Sequence, residues 1–212
     1  MIKLDLHTHS TASNDGGVRD FQYIEAIETK IIDIVAITDH NRIDFAIKMH
    51  EKYPKNIIIG EEIMTKSGEI IGLFLTKEVP QGMSLDQTIT SIHDQKGLCY
   101  VPHPLEKLRK GLGWNQLDKI KDKIDILEIG NGRALYKRNY KRLVNWAVTN
   151  KINTASSSDA HGKKGLGRSY TGLTSMPSDP DSLIKSLSSG VSVITYPSFI
   201  ELLYPKYNRI RK

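Results

Sequence analysis

Apolar residues recur along the chain in short runs that alternate with amphipathic stretches. The runs Ile2–Leu6, Asp33–Thr38, Asn56–Ile63, Glu69–Leu75, Leu98–Val101, Asp125–Ile129, Asn153–Ser157 and Val191–Tyr196 have the length and the Ile/Val content of buried strands. Between them, stretches near Asp20–Lys30, Asp44–Tyr53, Ser84–Lys96, Asn115–Lys123, Tyr136–Lys151 and Pro180–Ser188 carry helical periodicity. Their ends are marked. Ser84 is a good N-cap, Gly97 and Gly190 are placed to stop helices, and Asp179-Pro180 supplies a cap followed by proline at the first helical position. Strand–helix alternation predicts a parallel sheet with crossover helices, either a barrel or an open doubly wound sheet. One link breaks it: only Thr65-Lys66-Ser67-Gly68 separates two runs, too few residues for a helical crossover, so that pair is expected to be an antiparallel hairpin.

At 212 residues, with no repeat and no Pro/Ser/Gly linker, the chain reads as a single domain over 1–212, with a short, solvated basic tail from near residue 200 that holds Lys206, Arg209, Arg211 and Lys212. Hydrophobic residues at 39% and charged residues at 25% exclude a disordered chain. No basic flank precedes an apolar run at the N-terminus, and no stretch is long enough for a membrane span, so a cytoplasmic, soluble protein without a membrane partner is expected. Cys99, the only cysteine, sits in an apolar run and reads as a buried core thiol rather than a nucleophile. The formal charge of +6 suits an anionic substrate without requiring one.

The informative polar residues fall where the apolar runs end. His7-Thr8-His9 follows the first run, with Asp15 soon after in Ser13-Asn14-Asp15-Gly16. Thr38-Asp39-His40-Asn41 ends the second, Glu61-Glu62 closes the third, His103 follows Tyr100-Val101-Pro102, and Ser158-Asp159-Ala160-His161 follows the last run but one. Loops beyond the carboxyl ends of parallel strands share one face, so these groups should converge. Five of the seven histidines belong to the set; His50 and His93, on helical stretches, are assigned no chemistry. Imidazole together with carboxylate suits Zn, Mn or Fe, and His-x-His puts two imidazoles on the same side of an extended segment. Asp39 could orient the neighbouring imidazole or cap a turn. Glu61 should point to the opposite side of its strand from Glu62 and be structural. Trp114 and Trp146 read as packing residues.

The motifs Asp5-Leu6-His7-Thr8-His9-Ser10, Ile37-Thr38-Asp39-His40-Asn41, Gly60-Glu61-Glu62, Val101-Pro102-His103-Pro104 and Ser158-Asp159-Ala160-His161 resemble the polymerase and histidinol phosphatase (PHP) superfamily. The resemblance runs from Met1 to the neighbourhood of Tyr196. It implies a distorted, seven-stranded, TIM-like (β/α) barrel with metal ions at the carboxyl ends of its strands. It further implies that His7, His9, Glu62 and Asp159 hold a first cation, that Glu62 bridges to a second that His103 also binds, and that Asp15, His40 and His161 hold a third. Two positions depart from the common pattern, Asp15 and Glu69 standing where many relatives have histidine. The expected hairpin would return Glu69 close to Glu62, so Glu69 is read as a ligand of the second cation.

Two cations about 3.5–4 Å apart can share a hydroxide and align it for in-line attack on phosphorus, which makes phosphoester hydrolysis the implied reaction. Glu62, Asp159 and His103 are the expected catalytic residues, with two or three divalent cations as cofactors. Arg109, Arg168 and Asn131 are candidates to contact the substrate, the arginines through their planar forks; solvent-exposed loop arginines are the alternative. Without an extended aromatic and basic groove, the expected substrate is a small phosphorylated metabolite or nucleotide. The alternatives are an exonuclease on short oligonucleotides, a non-catalytic metal-stabilised scaffold, and a metal-dependent amidohydrolase, which would want a longer eight-stranded barrel.

Overall fold

The run Ile34–Ile37 shows how the sheet is built. Ile34 and Ala36 pack in one apolar cluster, and Val35 and Ile37 pack in another. Alternation with period two therefore buries both faces, as a strand covered by helices on one side and by its own barrel on the other requires. The same split recurs at Leu98 and Tyr100 against Cys99 and Val101, and at Ile126 against Leu127 and Ile129. The structure is a computed structural model that describes residues 1–134, 139–197 and 199–211. The expected helix start at Tyr136, up to residue 138, and the tail residue Lys212 lie outside the described residues.

Among the described residues nine strands form one sheet. Its order is Asn153–Ser157 (β7), Ile126–Asn131 (β6), Leu98–Val101 (β5), Gly68–Leu73 (β4), Ile57–Thr65 (β3), Ile34–Ile37 (β2), Ile2–Asp5 (β1), Tyr170–Leu173 (β8) and Val191–Val193 (β9). The pairs β1–β2, β2–β3, β5–β6 and β6–β7 are parallel. β3–β4 is the antiparallel hairpin, with Met64 opposite Glu69 and Thr65 opposite Gly68. The ends of the sheet come together. Asp159 N–H donates to the His7 carbonyl at 2.8 Å, Leu6 N–H to Ser157 Oγ at 3.3 Å, and Ser156 N–H to Thr171 Oγ1 at 2.8 Å. The result is a nearly closed barrel, and one inner apolar cluster takes residues from β1 through β8, with Leu183 and Leu187 of the helix Pro180–Leu187 (α6) packed on it.

The expected count of seven strands is corrected to nine. Tyr170–Leu173 escaped the hydrophobic pattern because it has four residues, one of them Gly172. Helices Asp20–Glu28 (α1) and Asp44–Lys52 (α2) cover β2, while Leu85–His93 (α3), Trp114–Ile120 (α4) and Tyr140–Thr149 (α5) cover the other side. The expected basic tail is instead a helix, Phe199–Arg211 (α7), which contains Pro205 and returns to the carboxyl ends of the strands. No described helix is long and apolar enough to cross a membrane.

Candidate metal centre

The chain leaving β1 carries His7 and His9 to the floor of the site, both fully buried. Their Nε2 atoms face each other at 3.1 Å. Glu128 lies in β6, two residues from the inward-facing Ile126, and its Oε1 stands 3.2 Å from His7 Nδ1. A carboxylate accepts only, so the proton of a neutral His7 ring sits on Nδ1 and its Nε2 presents a lone pair to the centre. Glu128 also accepts from Tyr100 OH at 2.8 Å, from Asn131 Nδ2 at 2.8 Å and from His103 N–H at 2.5 Å. It therefore braces the His7 and His103 segments at once. The sequence signal for it is a glutamate with inward parity inside Ile126-Leu127-Glu128-Ile129.

Glu62 lies at the middle of the cluster. Its Oε2 is 3.3 Å from His7 Nε2, 3.2 Å from His9 Nε2 and 3.4 Å from His40 Nδ1, and its Oε1 is 3.0 Å from His103 Nε2. The hairpin returns Glu69 to the same place, 3.8 Å from His40 Nδ1 and 3.7 Å from His103 Nε2. Neighbouring Glu61 points away and accepts from Val79 N–H at 2.8 Å, as its strand parity requires. Asp159 approaches His7 and His9 at 3.7 and 3.5 Å. His103 and Asp159 adopt φ of 27° and 52°, unusual for residues with a side chain, and each is held there through its own N–H, by Glu128 and by the His7 carbonyl. Asp39 accepts from Ser10 N–H at 2.7 Å and Ser10 Oγ at 2.5 Å, so it anchors the loop after His9 rather than an imidazole.

Beside the floor lie Asp15, His40 and His161. Asp15 Oδ1 is 3.5 Å from His40 Nε2, and Oδ2 is 3.6 Å from His161 Nε2. His161 Nδ1 lies 2.9 Å from the Asp159 carbonyl and donates to it in the neutral ring, which leaves Nε2 free to ligate. Helix α7 closes this side. Asn208 Nδ2 donates to the carbonyls of Asp15 and His161 at 2.8 and 2.9 Å, and Arg209 Nη2 lies 2.8 Å from Asp15 Oδ2. Gly17 makes that approach possible, since a Cβ there would come within 2.7 Å of Asn208 Nδ2. Neither Asn208 nor Arg209 was expected at the site, because a basic C-terminal stretch reads as a solvated tail.

These side chains form four overlapping groups that could hold cations: His9, Asp15, His40 and His161; His7, Glu62 and His103; His7, His9 and Asp159; and His40, Glu62 and Glu69. In each group one ligand atom per residue lies within 4.8 Å of the others. The donors fit divalent cations on independent grounds. Buried Asp15 Oδ1, Asp159 Oδ1, His9 Nδ1 and His103 Nδ1 have no hydrogen-bond partner, an arrangement proteins avoid unless something else satisfies such atoms. Burial opposes the charge on His7, yet Glu62 and Glu128 outweigh it and push the ring up to about 9. Burial and the charge of Glu62 push Glu69 up to about 8, while Glu62, although buried, is held low by His7 and His40. Without a cation, then, one carboxylate of the pair keeps its proton at neutral pH; with one, both can ionise.

The cluster opens into a cavity of about 640 Å³ lined by Glu62, Glu69, Arg109, Arg133, Pro205 and Arg209 among others. Arg109 abuts Asp159 and is fixed by Asn131 Oδ1 at 2.9 Å and Glu106 Oε2 at 3.2 Å. Asn131 Oδ1 also accepts from Arg133 N–H at 2.8 Å, so Asn131 braces both arginines. Arg133 Nη1 lies 3.6 Å from Asp159 Oδ1, and its buried Nε has no hydrogen-bond partner among the described residues. Burial and the adjacent Arg109 charge lower Arg133 to about 9. Two guanidiniums that oppose each other's charge beside an orphan N–H make a place for an anion. Arg168, the other arginine expected here, lines an adjoining cavity of about 20 Å³ together with Arg133, Asp159, His161 and Tyr204. Arg133, four residues beyond Ile129, takes the position nearer the cluster.

The model of the PHP domain family matches residues 5–150. Two uncharacterized proteins of Methanocaldococcus jannaschii are similar in sequence. MJ1587 is 36% identical over 138 residues, 59% of this chain and 81% of that protein, and MJ0417 is 32% identical over 177 residues, 80% and 69% of the two. Among solved structures, a two-domain Bacteroides vulgatus protein containing a predicted PHP-like metal-dependent phosphoesterase superposes with a TM-score of 0.74 at 17% identity, over 98% of this chain and 69% of that one. An amidohydrolase of Chromobacterium violaceum (TM-score 0.64, 14% identity, 89% and 97% coverage) and the lesion-specific endonuclease EndoQ of Pyrococcus furiosus (0.60, 16%, 91% and 57%) share the fold.

Proposed function

The chain belongs to the PHP domain family, and from that premise we propose that it hydrolyses phosphate esters, with a small phosphorylated metabolite or nucleotide as substrate. One observation carries the reading: a cluster of five imidazoles and four carboxylates, of which His40, His103, His161 and all four carboxylates line the cavity, shares that cavity with the guanidiniums of Arg109 and Arg133. His7, His9, Glu62 and Asp159 would hold one cation, Glu62, Glu69 and His103 a second, and Asp15, His40 and His161 a third. Zinc, manganese or iron suits such a mixture of imidazole and carboxylate. Bound there, divalent cations would lower the pKa of water and stabilise charge on the phosphoryl oxygens.

The chain's own residues do the rest. Arg109 and Arg133 bind phosphoryl oxygens; the Arg109 fork is preset by Asn131 and Glu106 and the Arg133 backbone is held by Asn131, so little freedom is lost on binding. Glu128 keeps His7 in the ligating tautomer and fixes the strained His103 segment. Water supplies the oxygen of the new bond to phosphorus, the bond from phosphorus to the substrate's alcohol oxygen breaks, and the alcohol leaves with a proton. The cavity is bordered by the turn at Lys107–Arg109 on one side and α7 on another, which favours a small substrate over a long strand. The guanidinium pair favours phosphate over the neutral amide of an amidohydrolase substrate. Phosphate release from a panel of phosphomonoesters, nucleotides and short oligonucleotides, with Mn, Zn and Fe supplied in turn, tests the reading. Metal-dependent hydrolysis that chelation abolishes is expected. A protein that fills with cations yet cleaves nothing on the panel contradicts it.

A further inference from the structure

A second cavity, of about 480 Å³, adjoins the metal centre and shares His103, Leu108, Arg109 and Arg133 with it. Beyond that shared wall its character changes. The far side is made by Ile129, Tyr140, Leu143, Ile194, Tyr196 and Leu202, brought together from β6, α5, the segment after β9, and α7. None of these six carries a charge, and among the described residues the charged side chains of the lining lie on the segment from His103 to Arg109 and around the end of β6. The wall is close-set by design of the backbone: a Cβ at Gly130 would come within 2.3 Å of Ile194 Cδ1, so any side chain there would push the segment carrying Ile194 and Tyr196 away. Burial and the nearby Tyr140 raise the Tyr196 phenol, so that ring stays neutral at physiological pH. Leu108, at the mouth of both cavities, is 93% exposed, an apolar lip at a polar entrance.

We propose that this second cavity receives the alcohol portion of the substrate and that this portion is an uncharged, planar aromatic group, with the ester phosphate at the shared arginine wall. The inference rests on the phosphoesterase reading and narrows it to a substrate class. Its size falls in the range of ligand pockets, its far wall offers a charged group no partner among the described residues, and two tyrosine rings there offer faces to a flat group.

Two phosphonates that cannot be hydrolysed, 2-naphthylmethylphosphonate and methylphosphonate, are compared by calorimetry on the metal-loaded protein, and the matching esters 2-naphthylmethyl phosphate and ethyl phosphate are compared as substrates. The aromatic member is expected to bind about tenfold more tightly or better, and to be cleaved with a correspondingly higher kcat/KM. Leu202→Trp, at a half-buried helical position where the larger side chain fills the cavity, should remove most of that preference, and Tyr196→Ala should reduce it by taking away one ring face. Equal binding of the two phosphonates, or a preference that survives both substitutions, overturns the inference even if both esters are cleaved. If neither ester is cleaved the phosphoesterase reading fails, and the phosphonate preference still decides the pocket.

Discussion

The floor and the wall of this cavity are built in opposite ways. The floor donors leave the barrel on short segments directly after strands: His7 and His9 after β1, His40 after β2, Glu62 within β3, His103 after β5, Asp159 and His161 after β7. Each is buried or nearly so and tied to a neighbouring strand by a backbone bond or by Glu128. The wall comes from parts far apart in sequence and less firmly framed: Arg109 on a 3-10 turn, Arg133 just past β6, and Asn208 and Arg209 on the last helix. The floor has the fixed geometry that a cation demands. The wall has the guanidiniums and the apolar side chains that decide what is brought to it.

That division predicts which property each substitution disturbs. Glu62→Gln has the largest effect, since it removes a charge that belongs to two of the four donor groups and lies beside His9, a member of the other two; cation content and turnover should both collapse, by more than the roughly 10–100-fold that a supporting residue costs. Glu128→Gln should follow, with cation affinity down about 10–100-fold, because an amide can no longer accept from His7, Tyr100 and the His103 backbone at once. Cation titration by calorimetry measures both.

Wall substitutions should behave differently. Arg133→Ala or Arg109→Ala should leave cation stoichiometry intact and lower kcat/KM about tenfold to hundredfold, the value of a charge-assisted bond to phosphate. Asn208→Ala unties α7 from the carbonyls of Asp15 and His161 and should weaken only the third cation, by about threefold to tenfold, as judged from the last phase of a titration. A comparable loss across all cations would erase the distinction between floor and wall. His93→Gln marks the lower limit: its ring pairs with Asp125 at 2.9 Å on the surface, so rate and metal content should stay within about twofold of wild type.

The same division explains what could be read from the sequence. Floor residues stand at the ends of apolar runs, so His7, His9, Asp15, His40, Glu62, His103, Asp159 and His161 could be located once strand ends were, and a four-residue hairpin link placed Glu69 beside Glu62. Local spacing suffices for such positions because the strand ends of a parallel barrel share one face. The wall has no comparable local signature. Arg133 and Arg168 both follow strand-terminal motifs at similar distances, and only the packed structure shows that the first reaches the cluster. α7 has a proline within it and a basic end, so its pattern suggests a tail until its docking on Gly17 and the Asp15 loop is seen. One strand escaped the pattern for a similar reason: β8 is short and glycine-containing, and it joins the sheet through antiparallel pairings with β1 and β9 rather than through a βαβ unit, whereas the run Val191–Tyr196 is present as β9, Val191–Val193.

The central claim, that cations sit on the floor and phosphate on the wall, is tested most directly by elemental analysis of wild type, Glu62→Gln and Arg133→Ala purified in parallel, with kcat/KM measured on the same samples. The account predicts that Glu62→Gln loses cations and activity together, whereas Arg133→Ala keeps its cations and loses activity alone. Full cation content and wild-type efficiency in Glu62→Gln, or cation loss in Arg133→Ala equal to that in Glu62→Gln, would contradict it.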